Sequence, residues 1–173
     1  DLLAPRKKRV RTQRRLNDYA YAPGEVGQMD VKHWKHAAYQ YDIVDCATRI
    51  KYKRLYPGVN PAYTVDFLEH AVRFFGPAFS FQTIQTDNGT EFVYDQLPQV
   101  KPGTLTAMQR WLQIRGIRHG RIPSRSPHLN GRIERSHGVD KDRYKKLTTN
   151  SHSRAELQAF LTEDCLDYNF YRP

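Results

Sequence analysis

Three acidic residues fall where a carboxylate is costly or conspicuous. Asp30 lies inside "GQMDVKHW" (27–34), a β-branched and aromatic run that suits a strand, where an acid fits neither the propensity nor burial. Asp87 closes the run "SFQTIQTD" (80–87) and opens the turn signal Asp87-Asn88-Gly89. Glu134 lies in "HLNGRIERSHG", a helical stretch. If the first and fourth strands are neighbours and that helix crosses their ends, the three carboxylates converge. Hard Mg²⁺ or Mn²⁺ favours such an all-oxygen site, and two such ions can hold the attacking and leaving oxygens of a phosphodiester in line. Plainer readings exist for each acid. Asp30 could be a surface acid on an edge strand, Asp87 could be a hairpin acid, Asn88-Gly89-Thr90 fits a glycosylation acceptor, and Glu134 could be a surface partner of Arg132, Arg135 or His137. Glu91 is the substitute acid if Glu134 fails.

The elements that must position these acids can be traced along the chain. The runs 27–34, 39–47 and 50–57 predict three successive antiparallel strands. Asn60 can cap a first helix, Pro61 fits its first position, and Val65, Leu68, Val72 and Phe75 form one apolar stripe ended by Gly76-Pro77. The fourth strand is 80–87, and the Pro- and Gly-containing stretch 94–103 is a loop. A second helix within 105–116 carries Leu105, Met108 and Leu112 and stops at Gly116; 117–123 is the fifth strand. A third helix runs from Pro127 to about Lys146, with Asn130, Glu134, His137 and Lys141 on one polar face. Ser153 and Glu156 form a capping box that opens a last helix, with Leu157, Phe160, Leu161 and Tyr168 on one side. The order βββ-α-β-α-β-α-α predicts an α/β domain, a five-stranded mixed sheet with helices on both faces.

The chain has 173 residues, 39% of them apolar and 27% charged, which suits one domain with a real core. No apolar run approaches the ~20 residues that span a bilayer. Cys46 and Cys165 lack metal-ligand spacing, so both are expected as packed, reduced thiols in an intracellular protein. The net charge of +10 is concentrated early, with seven basic residues in the ten from Arg6 to Arg15. Such a field attracts polyanions, although a solvated tail has the same composition. Residues 1–24 are therefore expected to be a basic arm or linker, and 25–173 a core excised from a longer protein.

Five segments, "MDVKHW", "IVDCATR", "IQTDNGTEF", "GIRHGRIPSRSPHLNGRIERSHG" and "YNFYRP", resemble, in that order, the DDE catalytic core of bacterial insertion-sequence transposases and retroviral integrases. The resemblance covers about residues 25–173. It implies an RNase H-like fold and two Mg²⁺ (or Mn²⁺) ions held by Asp30, Asp87 and Glu134. It also implies cleavage at the ends of a mobile element and joining of the freed 3′-hydroxyl to target DNA. Lys141 matches a position where the family often has a DNA-contacting basic residue; Lys145 and Arg6, Lys7, Lys8 and Arg9 are further expected DNA contacts. Asp45 matches an acid that is not a metal ligand in the family. The 46 residues between Asp87 and Glu134 (88–133) exceed the family's usual interval, so an insertion is expected at 94–103. The implied partners are DNA and, in the full-length protein, further copies of itself, with no membrane and no organic cofactor. The implied location is the cytoplasm, at the nucleoid. Two other readings share the fold: an RNase H-like nuclease acting on RNA–DNA hybrids, and a non-catalytic DNA-binding module.

Overall fold

The computed structural model describes residues 21–34, 38–95, 97–123, 133–134, 136–137 and 153–171. Its elements are β1 (Val26–Trp34), β2 (Ala38–Asp45), β3 (Lys51–Tyr56), α1 (Pro61–Phe75), β4 (Thr83–Thr86), α2 (Ala107–Ile114), β5 (Arg118–Arg121) and α3 (Arg154–Phe170). Residues 133, 134, 136 and 137 are also helical. The five strands form one sheet in the order β3-β2-β1-β4-β5. β1, β2 and β3 pair antiparallel, whereas β4 runs parallel to both β1 and β5. The first and fourth strands are thus neighbours, as convergence of the acids requires.

Strand side chains alternate between the faces of a sheet, and here the two faces differ in chemistry. One is apolar. Met29, Tyr41, Ile43, Tyr56 and Ile84 pack there with Phe67, Leu68, Ala71 and Phe75 of α1 and Met108, Trp111 and Leu112 of α2. Burying each large side chain of this kind contributes about 1.5–3 kcal/mol. The other face buries polar groups: Gln28, Gln40, Asp42, Lys51 and Lys53. Such groups require partners, and α3 and the helical residues at 133–137 supply them. Lys53 Nζ pairs with Asp164 Oδ2 at 3.3 Å, and Lys51 Nζ donates to Ser136 Oγ at 3.2 Å while lying 3.7 Å from the Tyr168 ring centroid. Gln158 Oε1 accepts from the Leu55 N–H at 2.8 Å. The apolar contact between α3 and the sheet is small among the described residues: Ala38, Leu55 and Leu161, flanked by Leu157 and Phe160.

The boundaries follow local chemistry. Asn60 Oδ1 accepts from the Tyr63 N–H at 2.9 Å and starts α1. Gly76 stays right-handed (φ −51°), so it is Pro77, with no N–H, that stops the ladder. The buried stripe of α1 is Thr64, Phe67, Leu68, Ala71 and Phe75, with Val65 and Val72 only partly buried. β4 is shorter than expected, because 80–82 do not pair as strand. α2 starts after Thr106, which forms a reciprocal capping box with Gln109. Leu105 therefore precedes the helix and is exposed, and Trp111 takes its place in the core, its Nε1–H donating to Glu69 Oε1 at 2.8 Å. Gly116, at φ +66°, ends α2 in the left-handed region that glycine tolerates. No helix or strand occurs among the described residues of 94–103. Ser153 and Glu156 form the predicted capping box of α3. Neither cysteine is in a disulfide, and both are buried. The expected span of the third helix outside 133–134 and 136–137, and the basic arm at 1–20, lie outside the described residues.

Candidate active site

The parallel pairing of β1 with β4 sets Gln28 opposite Gln85. Gln28 Nε2 donates to Gln85 Oε1 at 3.0 Å, so both side chains stand on the polar face. Two residues further on in each chain come Asp30 and Asp87, near enough for the charge of Asp87 to act on the Asp30 carboxyl. Asp30 is still within β1, while Asp87 follows the last residue of β4. The turn reading of "DNG" and the site reading hold together here. The Gly89 N–H donates to Asp87 Oδ1 at 2.9 Å, and Thr86 Oγ1 donates to the Asp87 carbonyl at 2.8 Å. Asn88 ties the turn to the exit of β5. Its Nδ2 donates to the Ile122 carbonyl at 2.8 Å, and its Oδ1 accepts from Arg121 Nε at 3.1 Å and Nη2 at 2.9 Å. Arg121 also pairs with Asp95, at the start of the long loop.

Asp30 sits in a crowded electrostatic environment. Across the antiparallel pair it opposes Asp42. Burial pushes its carboxyl up to about 6; His137 pulls it down and the charges of Asp87 and Asp42 push it up. His137 lies between the two strand acids, its Nε2 2.6 Å from Asp42 Oδ2 and its Nδ1 3.6 Å from Asp30 Oδ2. Burial opposes a charge on Asp42, but the hydrogen bond and charge of His137, together with Lys53 and Gln40, hold its carboxyl below the usual range. Burial likewise opposes a charge on His137, and Asp42 and Asp30 outweigh it, raising the imidazole above its ordinary value. Glu91 is half-buried, and burial and the charge of Asp87 push its carboxyl up.

Glu134 is exposed on the helical segment. Its neighbour Ile133 is fully buried, and the Ile133 N–H donates to Gln28 Oε1 at 3.4 Å. The segment carrying Glu134 therefore rests on β1 two residues before Asp30. Among the described residues no three His, Cys, Asp or Glu side chains already form a metal-holding cluster. Of Lys32 and His33, Lys32 shares the face of Asp30 and its charge opposes that of His137, while His33 stacks against Tyr39 with ring centroids 4.8 Å apart. Asp45 is fully buried and accepts from the N–H groups of Gly24, Ala47 and Thr48 and from Thr48 Oγ1, a structural role. Lys141, Lys145, Arg6, Lys7, Lys8 and Arg9 lie outside the described residues. Asp42 was not among the sequence candidates. Its signal was present: in "YQYDIVD" Gln40 and Asp42 alternate with Tyr39, Tyr41 and Ile43, so an acid again sits inside a strand.

A five-stranded mixed sheet in the order β3-β2-β1-β4-β5 with helices on both faces defines an RNase H-like fold. The family model described as integrase core domain matches residues 20–127, and the chain belongs to that family. Glu134 lies beyond the matched residues. The ORF3 protein of Spiroplasma virus SpV1-C74, an inferred integrase, is 30% identical over 167 residues, covering 88% of this chain and 45% of that protein. The chain thus spans less than half the length of this relative. Three solved structures share the fold. The catalytic core domain of BIV integrase has a TM-score of 0.64 at 17% identity, with 87% of this chain and 86% of that chain covered. The HTLV-2 integrase catalytic core, solved in complex with magnesium, has 0.64 at 19%, with 87% and 88% covered. A chain of the simian T-cell lymphotropic virus intasome, solved with PP2A regulatory subunit B56 gamma, has 0.67 at 20%, with 87% and 50% covered.

Proposed function

We propose that this core is a metal-dependent DNA polynucleotidyl transferase, which cleaves phosphodiesters at the ends of a mobile element and transfers the 3′-hydroxyl into target DNA. The observation that carries this reading is the parallel pairing of Gln28 with Gln85, which leaves Asp30, within β1, and Asp87, just past β4, two residues further along their chains and close enough for the charge of Asp87 to act on Asp30. The donor set fits a hard divalent cation. It is all oxygen, and the burial and neighbouring acids that push the Asp30 carboxyl up to about 6 are conditions a cation beside it would reverse. Asp30 and Asp87 would hold Mg²⁺ or Mn²⁺ from the sheet, and Glu134 would complete the set for two ions from the helical segment. When bound, such ions acidify the attacking hydroxyl and stabilise the leaving oxygen.

The chain's own residues do the positioning. Gln28 and Gln85 lock β1 to β4 one alternation before the acids, and the Asp87–Gly89 hydrogen bond holds the second carboxylate at the strand end. Lys141, Lys145 and the basic run Arg6, Lys7, Lys8 and Arg9 are assigned to DNA phosphates. Residues 1–24 act as the arm and 25–173 as the core of a longer protein that self-associates on paired DNA ends in the cytoplasm.

The test is a strand-transfer assay on the full-length protein with Asp30→Asn, Asp87→Asn and Glu134→Gln. Each variant is expected to lose more than about a hundredfold in joining rate, beyond the 10–100-fold typical of residues behind a metal ligand. Joining at the wild-type rate by Asp30→Asn would remove this reading.

A further inference from the structure

We propose that His137 is a positioning residue for Asp30, held in place by Asp42, and that it docks the helical segment bearing Glu134 onto the strand bearing Asp30. This rests on the reading of Asp30 and Glu134 as metal ligands. Asp42 is buried, and its carboxylate accepts from Gln40 Nε2 at 2.7 and 2.8 Å. An ionised carboxylate is an acceptor only. The imidazole nitrogen 2.6 Å from Asp42 Oδ2 must therefore carry a proton, which fixes Nε2–H. That bond leaves Nδ1 facing Asp30 Oδ2 at 3.6 Å. The other oxygen of Asp30 accepts from the Val31 N–H at 2.8 Å. One oxygen of Asp30 is thus fixed by a hydrogen bond and the other faces the imidazole beyond hydrogen-bond distance, and the imidazole stands between two acids that the strand register places directly opposite each other.

The second half of the inference comes from the other contacts of the segment. Ile133 is bound to Gln28 through its N–H, Ser136 receives Lys51 Nζ, and His137 reaches Asp42. These contacts reach β1, β2 and β3, and the one at His137 lies next to Asp30. Residues three apart on a helix share a face, so Glu134 and His137 are carried together. A purely structural His137 would satisfy Asp42 and nothing else. A positioning His137 also governs how Asp30 and Glu134 meet a shared ion, an effect expected of residues that orient ligands.

The experiment compares His137→Ala, His137→Gln and Asp42→Asn with wild type and with Asp30→Asn. Mn²⁺ binding to the purified chain is measured by electron paramagnetic resonance, and strand transfer is measured with the full-length protein. ¹⁵N-edited NMR of the imidazole reads the tautomer. The expected results are a proton on Nε2 in wild type that is no longer fixed in Asp42→Asn, and Mn²⁺ affinity 10–100-fold weaker in His137→Ala. Joining should fall in kcat with KM for DNA within about twofold, and His137→Gln, which can still donate to Asp42, should recover part of the loss. Asp42→Asn is nearly isosteric and gives the answer even if His137→Ala does not fold. Folded His137→Ala or Asp42→Asn with wild-type Mn²⁺ affinity and wild-type kcat would overturn the proposal, as would an Nε2 that carries no proton. Unchanged Mn²⁺ binding and joining in Asp30→Asn would overturn the metal-site reading itself and the positioning role with it.

Discussion

Asp30 carries a charge that the fold disfavours in the absence of a cation. Its folded pKa, raised from 3.8 to about 6, means the folded state holds that proton more tightly than the unfolded chain. The resulting stability is fully present below the unfolded value and is lost as pH rises through about 6. His137, also raised, contributes with the same sign. Metal-free protein is therefore expected to melt at progressively lower temperature as pH rises from 5 to 8. Asp30→Asn should flatten this dependence and stabilise the metal-free chain at pH 7 by up to roughly 3 kcal/mol. Thermal melts across this pH range check the claim; a variant less stable than wild type at pH 7 would contradict it. Asp30 and Asp87 were legible in the sequence because an acid inside a strand, and an acid at the junction of strand and turn, are both locally anomalous. Asp42 has the same local anomaly, yet its use depends on β2 pairing with β1 and on residue 137 arriving from 95 positions away. No local pattern encodes that meeting.

The connection between β2 and β3 shows how an acid serves an element instead of a reaction. Asp45 ends β2 and gathers three backbone N–H groups and a hydroxyl, one of them reaching across to Gly24 before β1. Gly24 has φ +78°, and a Cβ there would stand 2.4 Å from the Ser80 carbonyl oxygen, so the chain must pass close at that point. Asp45→Ala leaves several buried donors without a partner and is expected to cost about 3 kcal/mol or more. Urea denaturation of that variant beside Asp30→Asn should show opposite shifts at pH 7, and equal shifts would contradict the separation of roles. Helix ends marked by side-chain caps were legible, as at Asn60 and at Ser153 with Glu156, because the capping hydrogen bond spans three residues. The start of α2 was misplaced by an apolar stripe that included Leu105, while the Thr106–Gln109 box fixes the first helical residue two positions later, at Ala107. The strand order was only partly legible. Antiparallel neighbours follow one another in the chain, but the β1–β4 pair is separated by β2, β3 and α1, and the mixed sheet had to be inferred from element order alone.

At the scale of the molecule, a net charge of +10 on 173 residues is a prediction about binding and not about fold. Counterion release makes log K for duplex DNA fall with log salt by about 0.9 per phosphate neutralised. Deleting residues 1–20 should therefore weaken DNA binding and make that slope shallower, in proportion to the number of phosphates the arm neutralises. Fluorescence anisotropy between about 50 and 200 mM salt measures it, and an unchanged slope would show that the arm touches no phosphate. The polar face of the sheet gives the domain a second dependence. Its buried lysines, acids and glutamines find partners in α3 and in Ile133, Ser136 and His137, so the segment that helps close the fold is also the one that carries Glu134. The central claim is that Asp30 and Asp87 form the strand half of a divalent-metal site. Anomalous scattering from crystals soaked in Mn²⁺ tests it most directly. The account predicts a manganese peak between these two carboxylates, about 2.0–2.3 Å from an oxygen of each, with Glu134 turned toward it. Fully occupied manganese elsewhere, with none at Asp30 and Asp87, would contradict it.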